Sequence, residues 1–434
     1  MEYKMKKIIL IACLALLTSA CSNESTSTAP KNIIMVVADG TGPSYTTAYR
    51  YYNDDPTTDE IEETVFDRHL VGMASTYPAR ESGYITDSAA AATALAAGVK
   101  SYNGAIGVDV DKKPVETVLE YAKLIGKKTG VVVTSQINHA TPASYLAHNE
   151  SRKNYDAIAN SYIDDGIKAD VYLGGGWQYF IRDDRNIVEE FKQAGFHYVD
   201  NYDQLADIPE QPLFGLFDKV GLPWALDDTK HNRLSVMTEA ATELLENDKG
   251  FFMLVEASQV DWAGHSNDIA AAMGEMTDLA ITMEYLEQYV KDHPDTLVVM
   301  TADHSTGGLT VAANGKYEWN PEYLRTMTQS PSAITKILLD SEINKTLVEE
   351  LLHFTITDEE LVFLQQAKVK KSSDKKIYKV VKAIIDQRTN TGWTTGGHTG
   401  HDVQVFAMGA GSEMFRGKID NTDIAKKIFT FLGK

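Results

Sequence analysis

Short apolar runs alternate with amphipathic stretches along most of this 434-residue chain. Helical periodicity separates the apolar runs, notably at 114–126, 232–246 and 268–291. Strands that alternate with helices predict a mainly parallel sheet covered on both faces. We therefore expect an α/β fold, a three-layer α/β/α sandwich formed by residues 32–434 as one domain. The runs rich in β-branched residues predict strands at 32–38, 130–134, 171–173, 251–256, 296–302 and 403–408.

One segment, residues 318–390, departs from this alternation. It contains only short amphipathic patterns, which predict helices at 332–340, 345–353, 357–368 and 374–387. Thr357 followed by Glu360 forms the signature of a capping box at the start of the third helix. We interpret the segment as a helical insertion whose role is a lid, a subunit contact or a surface decoration.

The N-terminus has the pattern of an export signal. Lysines at positions 4, 6 and 7 precede an apolar run from Ile8 to Leu17, and small residues lead to Cys21. This pattern predicts a signal peptide over residues 1–20, and its ending at Cys21 also resembles a lipoprotein signal. Residues 21–31 then read as a flexible tether. The predicted location is outside the cytoplasm of a bacterium, either periplasmic or as a membrane-anchored lipoprotein.

Both cysteines, Cys13 and Cys21, lie at this N-terminus, so the folded domain is predicted to contain no disulfide. The whole chain carries a formal net charge of −20, and the lysine-rich first 20 residues contribute positively to it. So acidic a surface disfavours nucleic acid or an anionic membrane surface as a partner. Any anion-binding site on this protein must therefore be locally positive.

Polar residues follow three of the predicted strands directly. Asp39 follows the first strand, Glu256 ends the strand at 251–256, and Asp303 with His304 follows the strand at 296–302. Each carboxylate alone is explained equally well as a helix cap or a loop start. Since the carboxyl ends of parallel strands share one edge of a sheet, we expect the three to converge. Converging carboxylates repel one another unless cations lie between them, which predicts a metal cluster.

Further candidate ligands lie outside the strands. Asp261 and His265 are four residues apart, a spacing that places them on one helical face. His398 lies in a glycine-rich stretch just before the strand at 403–408. Oxygen and imidazole ligands without thiolates suit zinc or another first-row divalent ion.

Ser88 opens an alanine-rich stretch that Gly98 closes, which predicts a helix. Its hydroxyl would lie beside the free N–H groups and the positive dipole end of that helix, where anions bind. Taken alone, the stretch Thr86-Asp87-Ser88 is more simply explained as an ordinary helix cap. A serine needs an activator to act as a nucleophile, and metal coordination is the activator that this sequence offers.

Together these motifs resemble a bacterial alkaline phosphatase. They occur in the order of that family and span residues 39 to 402. The matching stretches are Val37-Ala-Asp-Gly40, Thr86-Asp-Ser-Ala89, His139-Ala-Thr141-Pro-Ala-Ser144, Ser151-Arg-Lys153, Glu256-Ala-Ser-Gln-Val-Asp261-Trp-Ala-Gly-His265, Thr301-Ala-Asp-His-Ser-Thr-Gly-Gly308 and Gly396-Gly-His-Thr-Gly400.

The resemblance implies a homodimer that hydrolyses phosphate monoesters through a phosphoserine intermediate, with two Zn²⁺ ions and one Mg²⁺ ion. It implies that Ser88 is the nucleophile and that Arg152 holds the phosphate. By the same resemblance, the first zinc is held by Asp261, His265 and His398, the second by Asp39, Asp303 and His304, and the third ion by Asp39, Thr141 and Glu256.

Two positions depart from the best-known enterobacterial pattern of that family. His139 stands in place of an aspartate, which makes the identity of the third ion less certain, and Trp262 stands in place of a lysine. We predict that Asp87, His139 and Trp262 bind substrate or support the ligands. Two other functions stay open: a phosphodiesterase of the same superfamily, disfavoured by Arg152, and a non-catalytic lipoprotein that binds metal or phosphate.

Overall fold

The fold is built around one ten-stranded sheet. The computed structural model describes residues 29–228, 232–369 and 372–434. The predicted signal peptide, Cys21 and most of the predicted tether lie outside the described residues. The strands are β1 Asn32–Ala38, β2 Leu70–Ser75, β3 Lys128–Gln136, β4 Val171–Gly175, β5 His197–Val199, β6 Leu213–Leu216, β7 Phe251–Ala257, β8 Thr296–Thr301, β9 Ser305–Thr306, β10 Thr310–Val311, β11 Thr391–Gly392, β12 His398–Thr399, β13 Val403–Gly409 and β14 Gly417–Asp420.

The order of strands in the sheet is β14-β2-β13-β8-β1-β7-β3-β4-β6-β5. Only β13 runs antiparallel to its neighbours, β8 and β2, in this described sheet. The central strand β1 pairs in parallel with β7 on one side and β8 on the other. The sheet is therefore mainly parallel, as predicted.

Every residue of β1 is buried, and its side chains alternate between two hydrophobic cores. Ile34 and Val36 belong to the core on one face of the sheet, whereas Ile33 and Val37 belong to the core on the other. A strand buried on both faces reads as a continuous apolar run rather than an alternating one. This burial confirms the predicted three-layer α/β/α architecture.

Helices form the two outer layers. The helix predicted at 114–126 begins only at Val118, because Thr117 caps it in a capping box with Glu120. None of the described helices is both long and apolar enough to cross a membrane. The helices are Pro43–Asn53, Val65–His69, Ser88–Ala97, Val118–Leu124, Ala140–Leu146, Tyr155–Asp164, Trp177–Phe180, Ile187–Gln193, Arg233–Leu245, Gln259–Ser266, Ile269–Asp292, Glu322–Arg325, Pro331–Asp340, Lys345–Leu352, Asp358–Lys368, Ser373–Thr389 and Asn421–Phe431.

The last five of these helices before β11 form the helical insertion. They lie between β10 and β11, and these two short strands pair in antiparallel fashion, Thr310 opposite Gly392. The ends of the insertion are therefore held together. The capping box of Thr357 with Glu360 is formed as predicted.

Candidate active site

The carboxyl ends of β8, β1 and β7 bring the predicted strand-end carboxylates together. Val37 of β1 pairs with Glu256 of β7 on one side and with Thr301 of β8 on the other. The three strands therefore end at the same level of the sheet. Gly40 turns the chain with φ +73°, and its N–H donates to Asp303 Oδ1 at 3.0 Å. A Cβ at Gly40 would lie 2.6 Å from the Cα of Asp261, so the close approach also requires glycine.

Asp39, Asp303 and His304 form one group of converging ligand atoms. His304 Nε2 lies 3.6 Å from Asp39 Oδ1 and 3.1 Å from Asp303 Oδ2. All three residues are fully buried, and within the described chain neither oxygen of Asp39 has a hydrogen-bond partner. A buried, unpaired carboxylate is strongly unfavourable. The group therefore fits a cation bound between its members.

The pKa shifts in this pocket also indicate that its carboxylates lack enough positive charge around them. Burial raises the pKa of Asp39 well above its ordinary value, and three neighbouring carboxylates raise it further. Burial also raises the pKa of Glu256 to about 7. Burial opposes the charged forms of Asp303 and His304 too, but their ion pair prevails: it lowers the pKa of Asp303 and raises the pKa of His304. Protein side chains alone thus leave negative charge uncompensated.

A second group consists of Asp261, His265 and His398. The Nδ1 atoms of His265 and His398 lie 2.7 Å from Gly396 O and 2.9 Å from Thr86 O. A carbonyl only accepts, so Nδ1 carries the proton in both rings and Nε2 keeps a lone pair. The two Nε2 atoms are 3.1 Å apart and lie 3.4 and 3.6 Å from the Asp261 carboxylate. Facing lone pairs beside a carboxylate fit a shared cation.

The third group combines Asp39, His139 and Glu256. Thr141 is fully buried near Glu256. Arg152 Nη2 lies 3.3 Å from His139 Nε2, and a guanidinium can only donate. In the neutral ring the proton is therefore on Nδ1, which is buried without a hydrogen-bond partner among the described residues. The other ligand atoms that this group offers are oxygens, which suit a hard cation.

Ser88 lies at the edge of this cluster. It is the first residue of the helix Ser88–Ala97, it is 1% exposed, and its Oγ lies 3.1 Å from His304 Nε2. Asp87 caps the helix by accepting from the N–H of Ala90 at 3.0 Å. The helix-cap interpretation and the metal-site interpretation of this stretch are therefore compatible. Asp87 supplies the cap, which leaves the Ser88 hydroxyl free to face the cluster.

Arg152 is anchored beside Ser88. Its Nη1 donates to Asp87 Oδ2 at 3.1 Å, and its main-chain N–H donates to Gly104 O at 2.8 Å. Burial and the adjacent guanidinium lower the pKa of His139 to about 3, so this imidazole is neutral at physiological pH. Arg152 therefore places a positive charge next to Ser88, the candidate nucleophile. In so acidic a protein, an anion-binding site needs a local positive charge of this kind.

Trp262 packs at the border of the third group. Its ring meets that of His139 edge to face at a centroid distance of 6.0 Å. Gly221 also lies against Trp262, because a Cβ at Gly221 would lie 2.4 Å from the indole. Trp262 thus has a fixed position next to the residues that surround Arg152.

The sequence analysis did not identify Thr306, which supports the ligands. Thr306 Oγ1 donates to Asp261 Oδ1 at 2.5 Å and lies 3.2 Å from His304 Nδ1, so it links two of the groups. It can accept the Nδ1 proton of His304, which leaves Nε2 as a ligand atom. Thr306 reaches this position because β9 pairs with β12, opposite His398. Its place two residues after His304 is the signal that could have revealed it.

All thirteen predicted site residues therefore lie in or beside one cluster. It combines three groups suited to cations, a buried serine at a helix N-terminus and an arginine held next to it. Such an arrangement can bind a phosphoryl group, neutralise its oxygens and present a nucleophile to phosphorus. The residues are Asp39, Asp87, Ser88, His139, Thr141, Arg152, Glu256, Asp261, Trp262, His265, Asp303, His304 and His398.

Comparisons with known proteins agree with this chemistry. The family model described as "Alkaline phosphatase" matches residues 30–434. Alkaline phosphatase 3 of Bacillus subtilis is 46% identical over 412 residues, which cover 93% of this chain and 89% of that protein. The crystal structure of a cold-active alkaline phosphatase from Shewanella sp. is 51% identical, with a TM-score of 0.89, covering 93% of this chain and all of that one. The chain therefore belongs to the alkaline phosphatase family.

Proposed function

We propose that this alkaline phosphatase hydrolyses phosphate monoesters through a phosphoserine formed on Ser88. The observation that carries the proposal is the position of Ser88 Oγ, buried at a helix N-terminus and 3.1 Å from His304 Nε2. A serine whose only role was to cap the helix would not need a buried side chain in a metal-binding cluster, and Asp87 already provides the cap.

We assign two Zn²⁺ ions and one Mg²⁺ ion to the three groups. Asp261, His265 and His398 would hold one zinc, and Asp39, Asp303 and His304 the other. Glu256 and Thr141, with Asp39, would hold the magnesium. Among the described residues, both oxygens of Asp39 and one of Glu256 have no hydrogen-bond partner, and such buried carboxylate oxygens favour a hard ion there.

When bound, these ions would lower the pKa of the attacking hydroxyl and stabilise negative charge on the phosphoryl and leaving oxygens. The remaining roles belong to the chain itself. Ser88 Oγ forms a bond to phosphorus while the ester oxygen leaves with the alcohol, and water then releases phosphate from the serine. Arg152 grips two phosphoryl oxygens through its planar fork, and Asp87 orients that fork. The N–H groups at the start of the helix Ser88–Ala97 face the same charge.

The setting of the enzyme is also part of the proposal. The N-terminal pattern supports export by a signal peptide over residues 1–20, with Cys21 as a possible lipid anchor. Residues 21–31 would form the tether, and residues 32–434 one catalytic domain with its insertion at 318–390. We propose a bacterial exported enzyme, periplasmic or anchored to a membrane, that works as a homodimer.

The test is turnover of a chromogenic phosphate monoester by Ser88→Ala, with Ser161→Ala on the helix Tyr155–Asp164 as the matched control. We expect Ser88→Ala to lose activity by at least about a thousandfold, because the covalent route is removed. Chelation should abolish wild-type activity, and restored zinc and magnesium should recover it. Acid quenching during turnover should leave phosphate on the peptide that contains Ser88. Full activity of Ser88→Ala, or activity indifferent to chelation, would exclude the mechanism.

A further inference from the structure

A cavity of about 590 Å³ lies beside the active site. Three parts of the chain enclose it: the loop at 222–227, one face of the helix Gln259–Ser266, and residues 328–336, where the helix Pro331–Asp340 of the insertion begins. Its volume is within the range of cavities that bind small organic molecules.

The helix Gln259–Ser266 separates the cavity from the metal-binding groups and contributes to both. Gln259 and Trp262, three residues apart, line the cavity, whereas Asp261 and His265 point into the second ligand group. The indole of Trp262 reaches the ring of His139, which in turn contacts Arg152. A molecule held at Arg152 by its phosphate could therefore extend toward the cavity along Trp262.

The lining contains flat apolar surface beside polar side chains. Trp224 and Leu226 form an apolar wall together with Trp262. Gln259 and Gln329 also line the cavity, but their amide oxygens are buried and expose almost no surface to it. The Gln259 amide is held in this orientation because its Nε2 donates to Leu222 O at 2.7 Å. The surface open to a ligand is therefore that of the indole rings, which suits a flat aromatic ring.

We propose that this cavity binds the alcohol part of the substrate and prefers an alcohol with a planar heterocycle that carries ring nitrogens or carbonyls, as a nucleoside does. This inference rests on the proposed function. The ring would stack against the indole surfaces of Trp224 and Trp262. Lys336 is an exposed lining residue, so its ammonium can donate to ring nitrogens or carbonyls. The strongly acidic chain disfavours further anionic groups on that alcohol.

The test compares adenosine 5′-monophosphate with methyl phosphate in wild type and Trp224→Ala. Trp177→Ala, which replaces an exposed tryptophan on the short helix Trp177–Phe180, is the matched control. We expect Trp224→Ala to lower kcat/KM for the nucleotide about tenfold, and to change that for methyl phosphate by less than about twofold. An equal effect on both substrates, or none on either, would overturn the cavity's role.

Equilibrium dialysis of adenosine gives a second readout that does not depend on turnover. Adenosine should bind wild type and Trp177→Ala equally and Trp224→Ala about tenfold more weakly. Equal binding to all three proteins would overturn the inference even if the enzyme is active. If wild type hydrolyses neither phosphate but still binds adenosine through Trp224, the proposed function fails while the cavity remains a nucleoside site.

Discussion

At the scale of single residues, the proposed role of Arg152 predicts which phosphate esters the site can hold. Its fork is oriented by Asp87, 3.1 Å away, and can engage two free phosphoryl oxygens at once. A monoester offers these oxygens in its dianionic form, whereas a diester carries a second organic group and one negative charge.

We expect Arg152→Ala to lower kcat/KM for a monoester roughly a hundredfold and that for a diester far less. Arg152→Lys should lie between them, since it keeps the charge and loses the fork. The control is Arg182→Ala, because the Arg182 guanidinium donates hydrogen bonds to Asp184 and Asn160 instead. Steady-state assays with a matched pair of aryl esters provide the measurement. Equal losses on both esters would instead support the phosphodiesterase alternative.

Sequence reasoning identified most residues of the cluster because their positions follow from local pattern. Asp39 and Asp303 each come directly after a buried strand, and adjacent parallel strands deliver them to one place. Thr306 could not be found in this way, since its contact with Asp261 depends on the pairing of β9 with β12. The proton position on His139 was also not predictable, because it follows from the contact of its Nε2 with Arg152, which depends on the tertiary structure.

At the scale of secondary-structure elements, the last helix of the insertion supports a metal-binding helix. From the helix Ser373–Thr389, Tyr378 Oη donates to Asp268 Oδ2 at 2.8 Å, and Lys382 Nζ donates to the main-chain oxygen of Ser266. Ser266 ends the helix that carries His265. Amphipathic periodicity predicted the helices of the insertion, but their docking depends on these polar contacts, which no periodic pattern encodes. From these contacts we infer a fourth candidate role, support of a proposed metal ligand, beside the three that the sequence left open.

Lys382→Met tests this support. Without the ammonium, the carbonyl end of the helix Gln259–Ser266 loses a charged partner, and His265 should hold its ion less firmly. We expect inactivation by a chelator to become several-fold faster, with activity restored by excess zinc. Lys379→Met on the exposed side of the same helix is the control. If both variants lose activity at the same rate as wild type, the insertion does not support the ligand.

At the scale of the whole molecule, the parallel centre of the sheet was predictable and its edges were not. Strands such as β1 are buried on both faces and read as unbroken apolar runs. The edge strands β5 and β14 are short, and β2, next to β14, is mostly half-exposed, so none of the three carries such a run. The predicted fold class thus rests on strands at the centre, and these are the strands that deliver the carboxylates.

The buried carboxylates make the stability of the protein depend on bound cations and on pH. Burial raises the pKa of Asp39 and of Glu256, the latter to about 7, and the pairing with Asp303 raises the pKa of His304 despite burial. Each of these groups binds its proton more tightly in the folded state than in the unfolded state. Their contribution to stability is therefore present at low pH and is lost as pH rises through the folded pKa values.

We accordingly expect the chelated protein to lose stability between pH 6.5 and pH 9. The lowered pKa values of His139 and His398 act in the opposite direction near pH 6.5, where the unfolded rings still hold protons. Since both rings are neutral in the folded protein with or without metal, this effect is the same in the two forms and does not change the gap between them. Bound metal removes the loss by neutralising the carboxylates, so the gap between metal-loaded and chelated protein should widen by about 1 kcal/mol or more. Urea unfolding of both forms at the two pH values measures this gap. The loaded form is the control because Glu275 and Asp386, with pKa values that burial raises to about 7, titrate in both. A gap that stays constant would show that the cluster does not carry the proposed ions.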